Sequence, residues 1–219
     1  VAQHAMALIL ALARKLPQAR DNQTARVWRA MISEIAARED ELGGKTLVIV
    51  GMGRIGARLA QLAKAFEMRV VGVRRDPSAG RGAADRVVAD TELHQALGEA
   101  DYVALTCPLT PQTERLIDAR ALAAMPRHAV LINVARGRVV DQPALIAALE
   151  AGTIAGAAID CAVEEPLPPS SPLWTAPNLL ITPHTAGETR RYEDHVIDLL
   201  LENLARLGSG GSGLKNEIV

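Results

Sequence analysis

The chain has 219 residues, 49% hydrophobic and 22% charged, and its 24 basic and 25 acidic side chains leave a net charge of −1. Such a length fits one large domain or a domain with an appendage. The near-zero charge and the scarcity of aromatics (one Phe, two Trp, two Tyr) exclude a nucleic-acid binder, which needs a basic face or stacking platforms.

The first element is "AMALILALA" (5–13), too short to span a bilayer and lacking a basic leader, so it reads as a buried helix with no membrane role. From residue 45 strands and helices alternate. "TLVIV" (46–50) reads as a strand, 54–66 as a helix and "RVVGV" (69–73) as the next strand. A helix over 92–100 precedes a strand at 102–106, and a helix over 118–125 precedes a strand at 129–134. A helix over 142–152, strands at 154–160 and 178–182 and a last helix from about 186 to 207 complete the pattern. Near-continuous apolar strands separated by amphipathic helices predict an α/β fold, a doubly wound parallel sheet of Rossmann type with helices on both faces. In such a sheet ligands bind outside the carboxyl ends of the strands.

The first strand hands over to Gly51-x-Gly53-x-x-Gly56, which opens a helix, the context a dinucleotide fingerprint requires. Gly51 permits the tight turn, Gly53 lets the backbone approach a pyrophosphate, and Gly56 lets helix and strand pack closely. The pyrophosphate then sits on the amides of the helix beginning near Arg54 and Ile55. An NAD-preferring fold ends its second strand on an acid; here that strand ends "GVRRDP". Arg74 and Arg75 suit a 2′-phosphate, which predicts NADP over NAD. NAD is the alternative if Asp76 turns back to serve the ribose.

The stretches "TCPLTPQTERLI" (106–117), "LINVARGRVVD" (131–141), "AIDCAVEEPLP" (158–168) and "ITPHTAG" (181–187) follow in order. Together with "VAQHAMALILALAR" at the start, they closely resemble the D-isomer-specific 2-hydroxyacid dehydrogenases, a family that includes phosphoglycerate dehydrogenases and glyoxylate/hydroxypyruvate reductases. The resemblance runs to about residue 207. It implies an NAD(P)-dependent oxidoreductase that interconverts a D-2-hydroxy acid and a 2-oxo acid, without a metal. It implies that Arg136 binds the substrate carboxylate, that His184 is the acid/base and that Glu165 holds it. The chemistry agrees, because hydride delivery to a 2-oxo carbon requires a proton for its oxygen and histidine titrates near neutrality. Further cofactor contacts implied by the resemblance are Thr106, Cys107 and Pro108, then Val134 and Ala135 with Arg136 beside the nicotinamide. Asp160 would take the carboxamide, and His184 and Gly187 would border the same ring. His4, His94, His128 and His195 are assigned no chemistry.

Three further expectations complete the reading. Cys161 and Ala162 stand where the family more commonly has Val-Phe, which predicts a wider pocket. Family members begin with a substrate-binding domain that this chain lacks, so residues 1–207 are expected to be the dinucleotide-binding domain and 208–219 a Gly/Ser linker and tail ("GSGGSG"). Cofactor binding then survives while turnover is weak or lost, since hydride transfer needs a closed, water-poor cleft. The family's habit of pairing cofactor domains, with "AMALILALA" exposed in a monomer, predicts a homodimer. Two cysteines without CxxC spacing, Cys107 and Cys161, fit a reducing cytoplasm. Two other classes of function are a dinucleotide-sensing, partner-binding protein like the C-terminal-binding-protein corepressors, and an engineered stand-alone scaffold without turnover.

Overall fold

The computed structural model describes residues 1–210 and 213–216. Gly211, Ser212 and residues 217–219, all within the expected tail, lie outside the described residues. The chain divides into two compact units, Val1–His184 and Thr185–Val219.

The first unit is built on seven parallel strands: β1 (Thr46–Val50), β2 (Arg69–Val73), β3 (Arg86–Val88), β4 (Tyr102–Leu105), β5 (Val130–Asn133), β6 (Gly156–Ile159) and β7 (Leu179–Ile181). Their spatial order is β3-β2-β1-β4-β5-β6-β7. Alternate residues of each strand serve opposite faces, as the pleat dictates. From β1, Val48 and Val50 join one apolar cluster while Leu47 and Ile49 join the other. Both faces are buried, which is why these strands read as continuous apolar runs.

Helices α1 (Ala2–Ala13) and α3 (Arg54–Ala65) cover one face. Helices α4 (Leu93–Leu97), α5 (Ala119–Ala124) and α6 (Gln142–Glu150) cover the other. On α3 the buried residues are Gly56, Leu59, Ala60 and Ala63, one stripe at helical spacing. Asp118 and Asp141 cap α5 and α6 by accepting the amides of Ala121 and Ala144. Between α1 and α3 lies α2 (Leu16–Ala25), which has no buried residue and therefore no apolar periodicity by which to read it. The short edge strand β3 was likewise not expected from the pattern.

Two expectations require correction. Helix α1 is not an exposed apolar patch: Ala5, Met6, Leu8, Ile9 and Ala13 are buried against the chain's own core. In the first unit the most exposed large apolar residues instead follow α2, where Trp28 is 99% exposed, Met31 84% and Ile35 75%. The last helix also begins later than expected. In the second unit, residues 186–191 form turns and α7 spans Tyr192–Gly208, with Glu193 and Asp194 in its first turn. Glu202 on α7 pairs with Arg206 and Lys215, which hold its carboxyl below the ordinary range. The compact sheet unit ends at His184. No helix among the described residues is long and apolar enough to cross a membrane.

Candidate functional site

The chain leaves β1 for β2 on one side and returns to β4 on the other, so a crevice opens at the carboxyl ends of β1 and β4. Gly51 there has φ +103°, and a Cβ on it would lie 2.6 Å from the Cys107 amide nitrogen. A Cβ on Gly56 would lie 2.2 Å from the Gly51 carbonyl oxygen, so α3 can start this close to the strand only with glycine. Thr106 Oγ1 donates to the same carbonyl at 2.7 Å and ties the loop after β4 to the turn. Gly53 faces open space and begins α3 without a side-chain cap. Arg54 and Ile55 in that first turn are both exposed.

A cavity of about 320 Å³ runs from this turn to the end of β2, lined by Gly51, Gly53, Arg74, Arg75, Asp76, Cys107 and Pro108. An uncapped helix N-terminus, a glycine that bares its backbone and two adjacent arginines suit a phosphorylated dinucleotide. Asp76 is committed locally: its Oδ1 accepts from Ser78 Oγ at 2.6 Å and from the Ser78 amide at 2.9 Å. Those bonds, with Arg74 nearby, hold its carboxyl below the usual range. Burial pushes the Cys107 thiol up, so it stays protonated and packs as a small loop residue.

The turn after β5 carries Arg136. Asn133, 1% exposed, clamps it: its side chain accepts from the Ala135 amide at 3.0 Å and donates to the Arg136 carbonyl at 3.0 Å. Val134 and Ala135 are buried, while Arg136 is exposed with Nη1 donating to the Ala135 carbonyl at 2.7 Å. Gly137 locks this turn to the loop after β6, since a Cβ there would lie 2.0 Å from the Ala162 carbonyl carbon and oxygen.

Glu165 and His184 meet directly. Glu165 Oε2 and His184 Nδ1 are 2.7 Å apart, and the other carboxylate oxygen accepts the Ala162 amide at 2.8 Å. The carboxylate therefore fixes the proton on Nδ1 and leaves Nε2 without a partner among the described residues. His184 has φ +57°, a left-handed conformation uncommon outside glycine, which turns its ring out at the strand end. Beside the pair is an apolar cavity of about 560 Å³ lined by Cys161, Ala162, Leu167, Trp174 and Ile181. Burial, with Glu165 and Asp160 adding, pushes the Cys161 thiol up to about 12.

Asp160 is 1% exposed, directly after β6. Its Oδ1 accepts from Thr182 Oγ1 at 2.6 Å and lies 3.3 Å from His4 Nε2. Sequence reasoning passed over three residues of this region: Asn133, Thr182 and His4. Asn133 was detectable as a polar residue inside "AVLINV"; Thr182 and His4 gave no local signal. Gly187 lies in the second unit, exposed in a turn.

The chain matches the model of the D-isomer specific 2-hydroxyacid dehydrogenase NAD-binding domain over residues 6–186. It is 36% identical over 212 residues to a glyoxylate reductase of Korarchaeum cryptofilum, which covers 95% of this chain and 63% of that protein. The chain thus spans less than two thirds of that relative. Among solved structures, a D-isomer specific 2-hydroxyacid dehydrogenase family protein from Aeromonas salmonicida superposes with a TM-score of 0.87 at 34% identity, over 100% of this chain and 67% of that one. A D-isomer specific 2-hydroxyacid dehydrogenase from Xanthobacter autotrophicus in complex with NADPH and MES gives 0.83 at 33%, over 100% and 86%. This chain belongs to the D-isomer specific 2-hydroxyacid dehydrogenase family and carries its NAD-binding domain.

Proposed function

We propose that the chain is the cofactor-binding and proton-handling part of an NADP-preferring dehydrogenase that interconverts a 2-oxo acid and its D-2-hydroxy acid. The observation that carries this reading is the 2.7 Å contact between Glu165 and His184 at the carboxyl end of the sheet. Bound NADPH supplies the hydride. Arg136 offers its planar fork to the substrate carboxylate. His184 holds the proton that the substrate oxygen takes, and Glu165 keeps the ring in the tautomer that presents Nε2 and stabilises the imidazolium. Val134 and Ala135 wall the nicotinamide side, and Asp160 takes the carboxamide.

The glycine turn, Arg54 and Ile55 bind the pyrophosphate, with Thr106, Cys107 and Pro108 closing the loop side. Arg74 and Arg75 take the 2′-phosphate. That preference is supported by Asp76, whose Oδ1 already accepts two bonds from Ser78. A charge-assisted hydrogen bond contributes about 1.5–3 kcal/mol, roughly tenfold to a hundredfold in affinity. Parallel calorimetric titrations with NADPH and NADH test the reading, and NADPH is expected to bind at least tenfold tighter. Equal affinities would move the ribose contact away from the arginines.

Turnover of glyoxylate or hydroxypyruvate by this chain alone is expected to be weak, because Glu165 and His184 are both more than one third exposed and water reaches them. Two copies are proposed to pair through the segment carrying Trp28, Met31 and Ile35, whose exposure in a single copy is unfavourable. Two free, buried cysteines suit a reducing cytoplasm.

A further inference from the structure

We infer that His4, on the first helix and more than 150 positions before Asp160, is a positioning residue for the nicotinamide end of the cofactor site. The inference rests on the reading above, in which Asp160 takes the carboxamide. His4 sits in the first turn of α1, which packs against β5 and β6. Its Nε2 is 2.9 Å from Thr182 Oγ1 and 3.3 Å from Asp160 Oδ1. The Thr182 hydroxyl has one proton, and the 2.6 Å contact gives it to Asp160. Thr182 Oγ1 must then accept from His4, so His4 carries its proton on Nε2 and shares it between the hydroxyl and the carboxylate. The side chain of Asp160 is 2% exposed and that of His4 25%.

A carboxylate removed from water needs donors, and their directions decide where it points. Here Oδ1 is gripped through Thr182, directly after β7, and through His4 on α1, so two elements besides its own β6 fix one carboxylate. The carboxamide of a nicotinamide ring is a small, two-ended hydrogen-bonding group. A carboxylate free to rotate would hold it in several poses, only one of which presents the right ring face. His4 therefore acts through Asp160 on how the ring is held, and it needs no contact with the substrate.

The test is binding by this chain, read with two ligands: NADPH, and 2′-phospho-ADP-ribose, the same molecule without nicotinamide. His4→Leu, which keeps apolar volume and removes the donor, is expected to weaken NADPH about tenfold and leave 2′-phospho-ADP-ribose unchanged. His4→Gln, which restores an N–H donor, should recover most of the loss. Asp160→Asn serves as the control for the underlying assignment. If Asp160→Asn weakens NADPH selectively and His4→Leu does not, the inference fails while the assignment of Asp160 stands. If His4→Leu weakens both ligands equally, His4 is a packing residue and the inference fails. If Asp160→Asn changes neither ligand, the carboxamide assignment falls and the inference falls with it.

Discussion

Gly137 has a consequence out of proportion to its size. The turn bearing Arg136 and the loop bearing Glu165 come from different strands, and they meet only because position 137 lacks a Cβ. Gly137→Ala would force the backbone at Ala162 to move. The expected cost is about 1–3 kcal/mol of stability, the range for overpacking a tight contact. A drop in the urea midpoint, with a weakened Glu165–His184 contact seen as a shifted His184 imidazole resonance, would verify it. Unchanged stability would mean that the two loops are not locked here. Asn133 acts at the same scale: buried and bonded through both ends of its amide, it shapes the Arg136 turn. Its position inside an apolar strand was legible in the sequence, whereas its two partners depend on how the chain turns after β5.

Among the elements, α1 changed meaning most. Its apolar run predicted a helix, and a helix formed, but whether that run faced solvent, a second copy or the chain's own core was not a local property. Packing against α3, β5 and β6 decided it. Ile9, with no exposed area, sits at the centre of that contact. Ile9→Ala is expected to cost about 2–5 kcal/mol, the usual range for emptying a buried aliphatic site, which chemical denaturation of the chain would measure. A loss under about 1 kcal/mol would instead point to a helix only loosely docked. The strands were legible to within a residue or two because both faces of the sheet are covered, which enforces unbroken apolar runs. β3 and α2 escaped notice for the converse reason: one is a three-residue edge and the other buries nothing.

Across the whole molecule, large apolar residues stay exposed on α7 and, most of all, on the segment after α2. If two copies pair there, light scattering at micromolar concentration should give twice the chain mass and Trp28→Ala should reduce it to one chain; a wild-type monomer would refute the pairing. Stability should also depend on acid in a defined direction. The Lys64 ammonium and the Val70 amide hold the Asp85 carboxyl below its ordinary value, and Ser78 does the same for Asp76. A carboxyl whose value is lower folded than unfolded stabilises the fold above the unfolded value, about 4, and loses that contribution as pH falls through the folded one. The urea midpoint should therefore decline below about pH 4, and Asp85→Asn should make that decline shallower. An acid limb unaltered by Asp85→Asn would place the proton uptake elsewhere.

Residue order alone determined the parallel α/β sheet, the glycine turn at its first strand and the set of chemically active types at strand ends, because each rests on local patterning or on a motif contiguous in the chain. Tertiary structure decided what those types do to one another. Glu165 and His184 come within 2.7 Å, and His4 reaches Asp160 and Thr182 across more than 150 positions of sequence. Such contacts depend on the stacking of α1 against β5 and β6 and on the crossing of separate loops. Distances between remote segments are set by packing, which no local pattern encodes.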